Sequence, residues 1–232
     1  MIVSAHQPHF LPWMGYFNKA AKSDVFVWLE NVQFRKNYFQ NRTKIKVGEK
    51  EFWLTVPVKK ASLETHIADI EIVRSKDYKK IAKTIVNTYS KAPFYADFFP
   101  EIENIINSDS NSLNEINYQL FMYLLKVLEI ETQVIRSTEL NLQNEDPNNR
   151  LVELCVKLNA TDYIAGKGGA NYMDESLFEE NNVNILWQKF PVQDIQYSQR
   201  GNDFIMGLSV IDALFNIGAK KTRELIFTEW KS

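Results

Sequence analysis

Two short β-rich stretches near the start, "IVSA" at residues 2–5 and "VFVWL" at 25–29, are separated by just enough chain for one loop and one helix. Strands joined in this way run parallel, because an antiparallel pair needs only a tight turn while a parallel pair needs a crossover. Parallel sheets are covered on both faces, and the apolar run VFVWL fits that burial. The intervening segment supplies the crossover helix: Trp13, Phe17, Ala20 and Ala21 recur at helical spacing, Pro12 stands where a first turn tolerates proline, and the helix ends near Ser23-Asp24. The opening is thus strand, loop, helix, strand. Its loop lies at the carboxyl end of the first strand, where open α/β sheets hold their ligands.

The same alternation returns later in the chain. "TQVIRST" (132–138), "DYIAG" and "NILWQKF" read as strands, with an amphipathic helix in "NRLVELCVKLNA" and closing helices from Ser209 and Lys220. Two insertions interrupt it. Around Val47-Gly48-Glu49-Lys50 two extended runs predict a β-hairpin within about 34–60, and residues from about 75 to 130 carry three apolar stripes of helical period. The expectation is one α/β domain over 1–232, a mainly parallel Rossmann-like three-layer sandwich with an inserted hairpin and a helical middle.

Composition narrows the partners. A formal net charge of −2 argues against duplex nucleic acid and anionic membranes as partners. Cys155 is the single cysteine, on an apolar helix face with Leu151 and Leu158, which suits packing and a reducing compartment. No apolar run approaches the ~20 residues of a membrane span, and the start lacks signal-peptide character, so a cytoplasmic location is expected. No oligomeric state follows from any of this.

Four segments carry possible chemistry. The opening loop "AHQPHFLPWMGYF" holds two of the three histidines, His6 and His9, with Gln7, Trp13 and Tyr16. Imidazoles serve as general acid or base near neutrality or bind phosphate; the alternative is that they cap strand ends. No third ligand type lies near them, so no metal is expected. The basic segment from Gln33 holds Arg35, Asn41, Arg42 and Lys44, and the strand period puts Arg42 and Lys44 on one face, fit for phosphate or carboxylate, or simply solvated. "IAGKGGANY", with Gly166, Lys167, Gly168, Gly169 and Tyr172, offers close backbone approach to a phosphate or sugar but is neither a P-loop nor a dinucleotide fingerprint. Asp212, amid apolar neighbours in "GLSVIDALFNIG", needs a buried partner and is either a structural cap or an active-site acid.

Taken in order, "HQPHFLPWMGYF", "AAKSDVFVWLENVQF", "QNRTKIK", "FWLTVPV", "DYIAGKGGANYM" and "LSVIDALFNIG" resemble the WbqC-like family of bacterial surface-polysaccharide loci, over nearly the whole chain. The resemblance implies a role in O-antigen-type biosynthesis, with glycyl transfer to a sugar as the suggested chemistry. Relatives commonly carry Asp-Asp-Val-Gln after the second strand; here Glu30-Asn31-Val32-Gln33 stands instead, which argues against a paired-carboxylate metal site. "PWMGYFNKAAKSDVFVWL" is also similar in layout to nucleotidylyltransferases, with Trp13-Met14-Gly15-Tyr16 in place of their His-x-Gly-His.

Together these imply an acyl- or aminoacyl-transferase acting on a nucleotide-linked amino sugar. His6 or His9 would be the base, with Asp212 as a further acid. Arg35, Arg42 and Lys44 would hold the diphosphate, and the 166–169 backbone would lie against the ligand. Its partners are small molecules, a nucleotide-sugar and an acyl or aminoacyl donor; no cofactor is identified, and a nucleotide is left open. An ATP-using nucleotidylyltransferase and a non-catalytic sugar-nucleotide binder or scaffold are the alternatives.

Overall fold

The computed structural model describes residues 1–228. Its elements are β1 (Ile2–His6), α1 (Met14–Ala21), β2 (Val25–Trp28), β3 (Arg42–Val47), β4 (Lys50–Thr55), α2 (Lys76–Tyr89), α3 (Tyr95–Ile106) and α4 (Leu113–Val127). There follow β5 (Gln133–Arg136), α5 (Pro147–Lys157), β6 (Asp162–Ala165), α6 (Glu175–Glu180), β7 (Asn184–Trp187) and α7 (Val210–Ile226). Strands β5-β2-β1-β6-β7 form one sheet in that order, every pairing parallel. β3 and β4 make the separate antiparallel hairpin, turned at Gly48, whose φ of +61° glycine accepts readily.

The side-chain period of two sorts the sheet into two cores. Val3, Ala5, Val25 and Val27 face a cluster with Leu154, Cys155 and Phe178 of α5 and α6. Phe26 and Trp28 face the larger cluster, where α1, α4 and α7 supply Phe17, Phe121 and Phe215. Helices therefore cover both faces, and the Rossmann-like sandwich expected from the sequence is the architecture observed. Burial of Cys155 raises its thiol pKa to about 12, in keeping with packing.

The helix starts follow local chemistry in most cases. Ser75 and Ser112 cap α2 and α4 through their hydroxyls, and Asp146 caps α5 with Pro147 in its first turn. α1 differs: it begins at Met14, two residues past Pro12, and its capping residue Trp13 gives no side-chain hydrogen bond. The two closing helices expected from Ser209 and Lys220 run together as α7, broken at Gly218, whose φ of +78° is non-helical.

Strand succession marks a candidate site. β2 and β5 lie to one side of β1, β6 and β7 to the other, so the winding direction reverses between β1 and β6. In open α/β sheets the crevice beyond the carboxyl ends at that reversal receives ligands. β1 ends there in His6 and β6 ends in Ala165, one residue before Gly166. Residues 188–208, between β7 and α7, form a long strap without helix or strand.

Candidate functional site

The loop after β1 is held from three directions. Phe10 N–H donates to the Phe39 carbonyl at 2.9 Å, and the Leu11 carbonyl accepts both the Thr43 hydroxyl, 2.9 Å, and the Ser209 hydroxyl, 2.8 Å. Leu11 itself has a φ of +44°, rare for a residue with a side chain, so this loop stores strain that hairpin and α7 jointly hold. Gln7 continues the network: its Oε1 accepts from Gln40 Nε2 at 2.8 Å, and Gln40 Oε1 accepts from the Arg35 backbone N–H at 2.7 Å.

His6, His9 and Tyr16 converge within this frame. Ring centroids are 4.6 Å apart for His6–His9, 4.5 Å for His6–Tyr16 and 5.1 Å for His9–Tyr16. The Gln7 carbonyl accepts from both the Tyr16 hydroxyl and His6 Nδ1, each at 3.0 Å. A carbonyl cannot donate, so Nδ1 carries the proton and Nε2 of the neutral ring carries the lone pair. Burial, aided by the charge of Lys19, lowers the His6 pKa to about 3. Burial and then His6 depress His9 in the same direction, so both rings are neutral at pH 7. His9 is buried with neither ring nitrogen hydrogen-bonded among the described residues.

Lys19 enters from α1 without any warning in the motifs. Its buried ammonium donates to the Ala5 carbonyl at 2.9 Å and lies 5.6 Å from the Tyr163 ring centroid, bridging β1 and β6. Burial lowers its pKa to about 7. The one sequence signal is a lone lysine set between Phe17 and the Ala20-Ala21 pair in an otherwise buried helix.

An aromatic path leads from the histidines to the basic strand. His9 stacks on Phe39 at 5.3 Å, and Phe39 meets Trp53 at 5.4 Å. Arg42 lies 4.0 Å over the Trp53 ring and Lys44 lies 5.1 Å from its centroid, so the two cations share one hairpin face. Lys44 also pairs with Glu51 at 2.9 Å. Arg35 is exposed and stacks on Tyr38 at 5.2 Å. Asn41 and Gln33 hold backbone instead, bonding the carbonyls of Val56 at 2.9 Å and Leu63 at 2.6 Å.

Other candidates stand apart from this group. Lys167–Asn171 form a 3-10 turn after β6, with Lys167, Gly168 and Tyr172 exposed; among the described residues no hydrogen bond or ring contact joins them to the histidines. An added Cβ at Gly169 would lie 2.7 Å from Met173 Sδ, whereas at Gly166 and Gly168 it would meet nothing within 4 Å. Trp13 packs against Phe190 with centroids 5.5 Å apart and covers Gly15, where an added Cβ would stand 2.3 Å from the indole. Gly15→Ala is therefore expected to displace that ring and cost about 1–3 kcal/mol; unchanged tryptophan fluorescence and urea midpoint would contradict it.

Asp212 is likewise not brought to the histidines. Its carboxylate accepts from Tyr89 OH at 2.7 Å and Tyr197 OH at 2.9 Å, tying α7 to α2 and to the strap, and burial raises its pKa. It lines a cavity with Lys46, Glu49, Tyr89 and Arg200.

The WbqC-like protein family model matches residues 7–224. The chain belongs to the WbqC-like family. The uncharacterized protein Rv1507c of Mycobacterium tuberculosis (strain ATCC 25618 / H37Rv) is similar to it, 28% identical over 220 residues and 94% of each chain. No solved structure matches. In this WbqC-like chain, Glu30 of the Glu-Asn-Val-Gln segment is engaged at the carboxyl ends of β2 and β5. It accepts from Asn114 Nδ2 and Thr138 Oγ1 and lies 3.7 Å from Arg136. Among the described residues no three His, Cys, Asp or Glu side chains are placed to hold a metal ion, and no helix is long and apolar enough to cross a membrane.

Proposed function

We propose that the protein is an enzyme of surface-polysaccharide assembly that transfers an acyl or aminoacyl group, glycyl being the simplest, to the amino group of a nucleotide-linked sugar. The observation that carries this reading is the state of His6: neutral, with Nδ1–H committed to the Gln7 carbonyl, at the carboxyl end of the central strand. That arrangement leaves the Nε2 lone pair free to take a proton; with a pKa of about 3 the imidazolium so formed is a strong acid that hands the proton on at once. The amine nitrogen attacks the acyl carbon and forms the amide bond while the bond to the donor's leaving group breaks. The proton accepted by Nε2 then passes to the leaving group.

Neighbouring groups have matching roles. Arg42 and Lys44, with Arg35 at the exposed rim, suit the diphosphate of the acceptor. Lys19, whose pKa of about 7 lets it give or take a proton, lies on the β6 side of His6 and suits the charge that develops on the acyl oxygen. The surface-polysaccharide setting rests on the family resemblance alone.

Calorimetric titration with a UDP-linked amino sugar tests the reading. Arg42→Ala is expected to weaken binding about tenfold, the scale of one charge-assisted contact. His6→Ala should leave binding nearly intact and lower formation of the acylated sugar, followed by mass spectrometry, by roughly 10²–10⁴-fold. Binding indifferent to Arg42→Ala, or undiminished product from His6→Ala, would sink the assignment.

The sheet order favours a second reading, ATP-dependent nucleotidylyl transfer, since the loop after β1 stands where that layout places its chemistry. Against it, Tyr16 replaces a histidine and commits its hydroxyl to the Gln7 carbonyl. Release of pyrophosphate from ATP in the presence of sugar phosphates would decide for it.

A further inference from the structure

The cavity beside Asp212 carries a charge pattern that the histidine site does not use. It measures about 450 Å³ and lies between the hairpin tip, α2, the strap and the start of α7. That volume is within the range of about 300–1,000 Å³ typical of small-molecule sites. Four charged side chains line it: Lys46, Glu49, Arg200 and Asp212.

Two of the four are spent on the protein. Glu49 pairs with Lys46 at 3.3 Å and accepts the backbone N–H groups of Asn202 and Asp203 at 3.0 and 3.1 Å, fixing the strap to the hairpin tip. Gly201 permits that clamp: its φ is +97°, and a Cβ there would stand 2.4 Å from the Glu49 carboxylate. The Lys46 ammonium, besides Glu49, donates to the Asp203 carbonyl.

The other two have no partner of opposite charge in ion-pair contact among the described residues. Asp212, only 1% exposed, receives two tyrosine hydroxyls but has no cation within ion-pair distance among the described residues. A carboxylate has about four acceptor positions; two take the hydroxyls and the Asn216 amide lies beside it, which leaves at least one. Lys46 is near enough to favour its ionised form, yet burial still prevails and raises its pKa, as for a buried acid short of a counter-charge. Arg200, at the exposed rim, makes one long contact, 3.3 Å to the Thr88 carbonyl, and has no carboxylate partner among the described residues. One wall thus offers a buried anion and another a free guanidinium fork.

We propose that this cavity binds a small zwitterion, with its primary ammonium on Asp212 and its carboxylate or phosphate on Arg200. Two kinds of molecule share that chemistry, a free α-amino acid and an amino-sugar phosphate. Asp212 is then an ammonium-binding group, separate from the proton transfers at His6. The site stands independently of the acyl-transfer reading, since none of its lining residues belongs to the histidine loop.

Isothermal titration of the intact chain with glycine, serine and glucosamine 6-phosphate, each beside its N-acetyl derivative, tests this. At least one amine is expected to bind, its N-acetyl derivative at least about tenfold more weakly, because acetylation removes the charge that Asp212 would hold. The better arm identifies the source, amino acid or amino-sugar phosphate. Arg200→Ala and Asp212→Asn should each weaken binding about tenfold, while His6→Ala should leave it unchanged. No binding at millimolar concentration, equal binding of the acetylated form, retention in Arg200→Ala, or loss in His6→Ala would each overturn the proposal. Should Asp212→Asn fail to fold, the exposed Arg200 variant and the ligand pairs decide alone.

Discussion

Stability is expected to fall by about 3 kcal/mol as the pH drops from 6.5 to 3, on account of His6 alone. In the unfolded chain its imidazole takes up a proton near pH 6.5; in the folded protein burial and the Lys19 charge delay uptake until about pH 3. Between those values unfolding binds a proton, so acid favours the unfolded state, and below pH 3 this contribution is fully lost. Three and a half pH units at about 1.4 kcal/mol each set the ceiling, and the partial exposure of His6 brings the figure below it. His9 acts in the same direction.

Lys19 adds a second window. Its pKa of about 7 when folded, against 10.5 when unfolded, makes stability rise with pH between those values. Buried tyrosine hydroxyls, Tyr16 among them, reverse the trend above pH 10, because only the unfolded chain ionises them there. Urea unfolding of the wild type and of His6→Phe across pH 3–9 separates the histidine from the carboxylates, such as Glu153, whose hydrogen-bonded pKa of about 2 also weakens the fold in acid. Parallel curves for the two proteins would refute the assignment to His6.

Phe121→Ala is expected to cost about 3–5 kcal/mol and to lower the melting temperature by on the order of 10 °C. The ring is fully buried on α4, with centroids 5.1 to 5.5 Å from Trp28, Phe26, Tyr16 and Phe17. No single neighbour can fill the space it leaves, so the cavity term adds to the lost transfer energy. Tyr16 loses its edge contact and the two histidines rest on Tyr16, so the same change should loosen the site. Phe121→Leu, which keeps most of the volume, is expected to cost under about 1.5 kcal/mol. A loss below 1 kcal/mol for the alanine variant in chemical denaturation would contradict this packing.

The parallel sheet was legible because VFVWL is apolar at every position and a helix-length segment precedes it. The hairpin was legible because its two runs flank a glycine that a two-residue turn requires. The opening loop could be placed as a candidate site because strand ends in such sheets face ligands, and its histidines meet the basic strand through Phe39 and Trp53. Lys19 escaped notice because an apolar pattern records which face is buried, not what a buried lysine reaches across two strands. Asp212 was seen as needing a partner, but Tyr89 stands on a helix far back in the chain and Tyr197 on an irregular strap, so no pattern sets their approach. Trp13 drew suspicion through its motif; its ring lies on Gly15 and Phe190, a fit that depends on a strap with no regular pattern to read.

The central position of β1 has a consequence for synthesis. The first strand is flanked by β2, encoded soon after it, and by β6, which pairs Ile2 with Asp162. Ser209, later still, supplies one of the two hydroxyls that hold the strained Leu11 carbonyl. A nascent chain thus carries His6 and His9 out of the ribosome well before β6 and Ser209, which complete their setting. Until β6 has emerged β1 presents one unpaired edge, and until Ser209 has emerged its loop lacks one of its two hydroxyl supports. The geometry of this loop therefore waits on residues made far later, and loss of Ser209 and α7 removes a support of the histidine loop while leaving every residue of that loop in place.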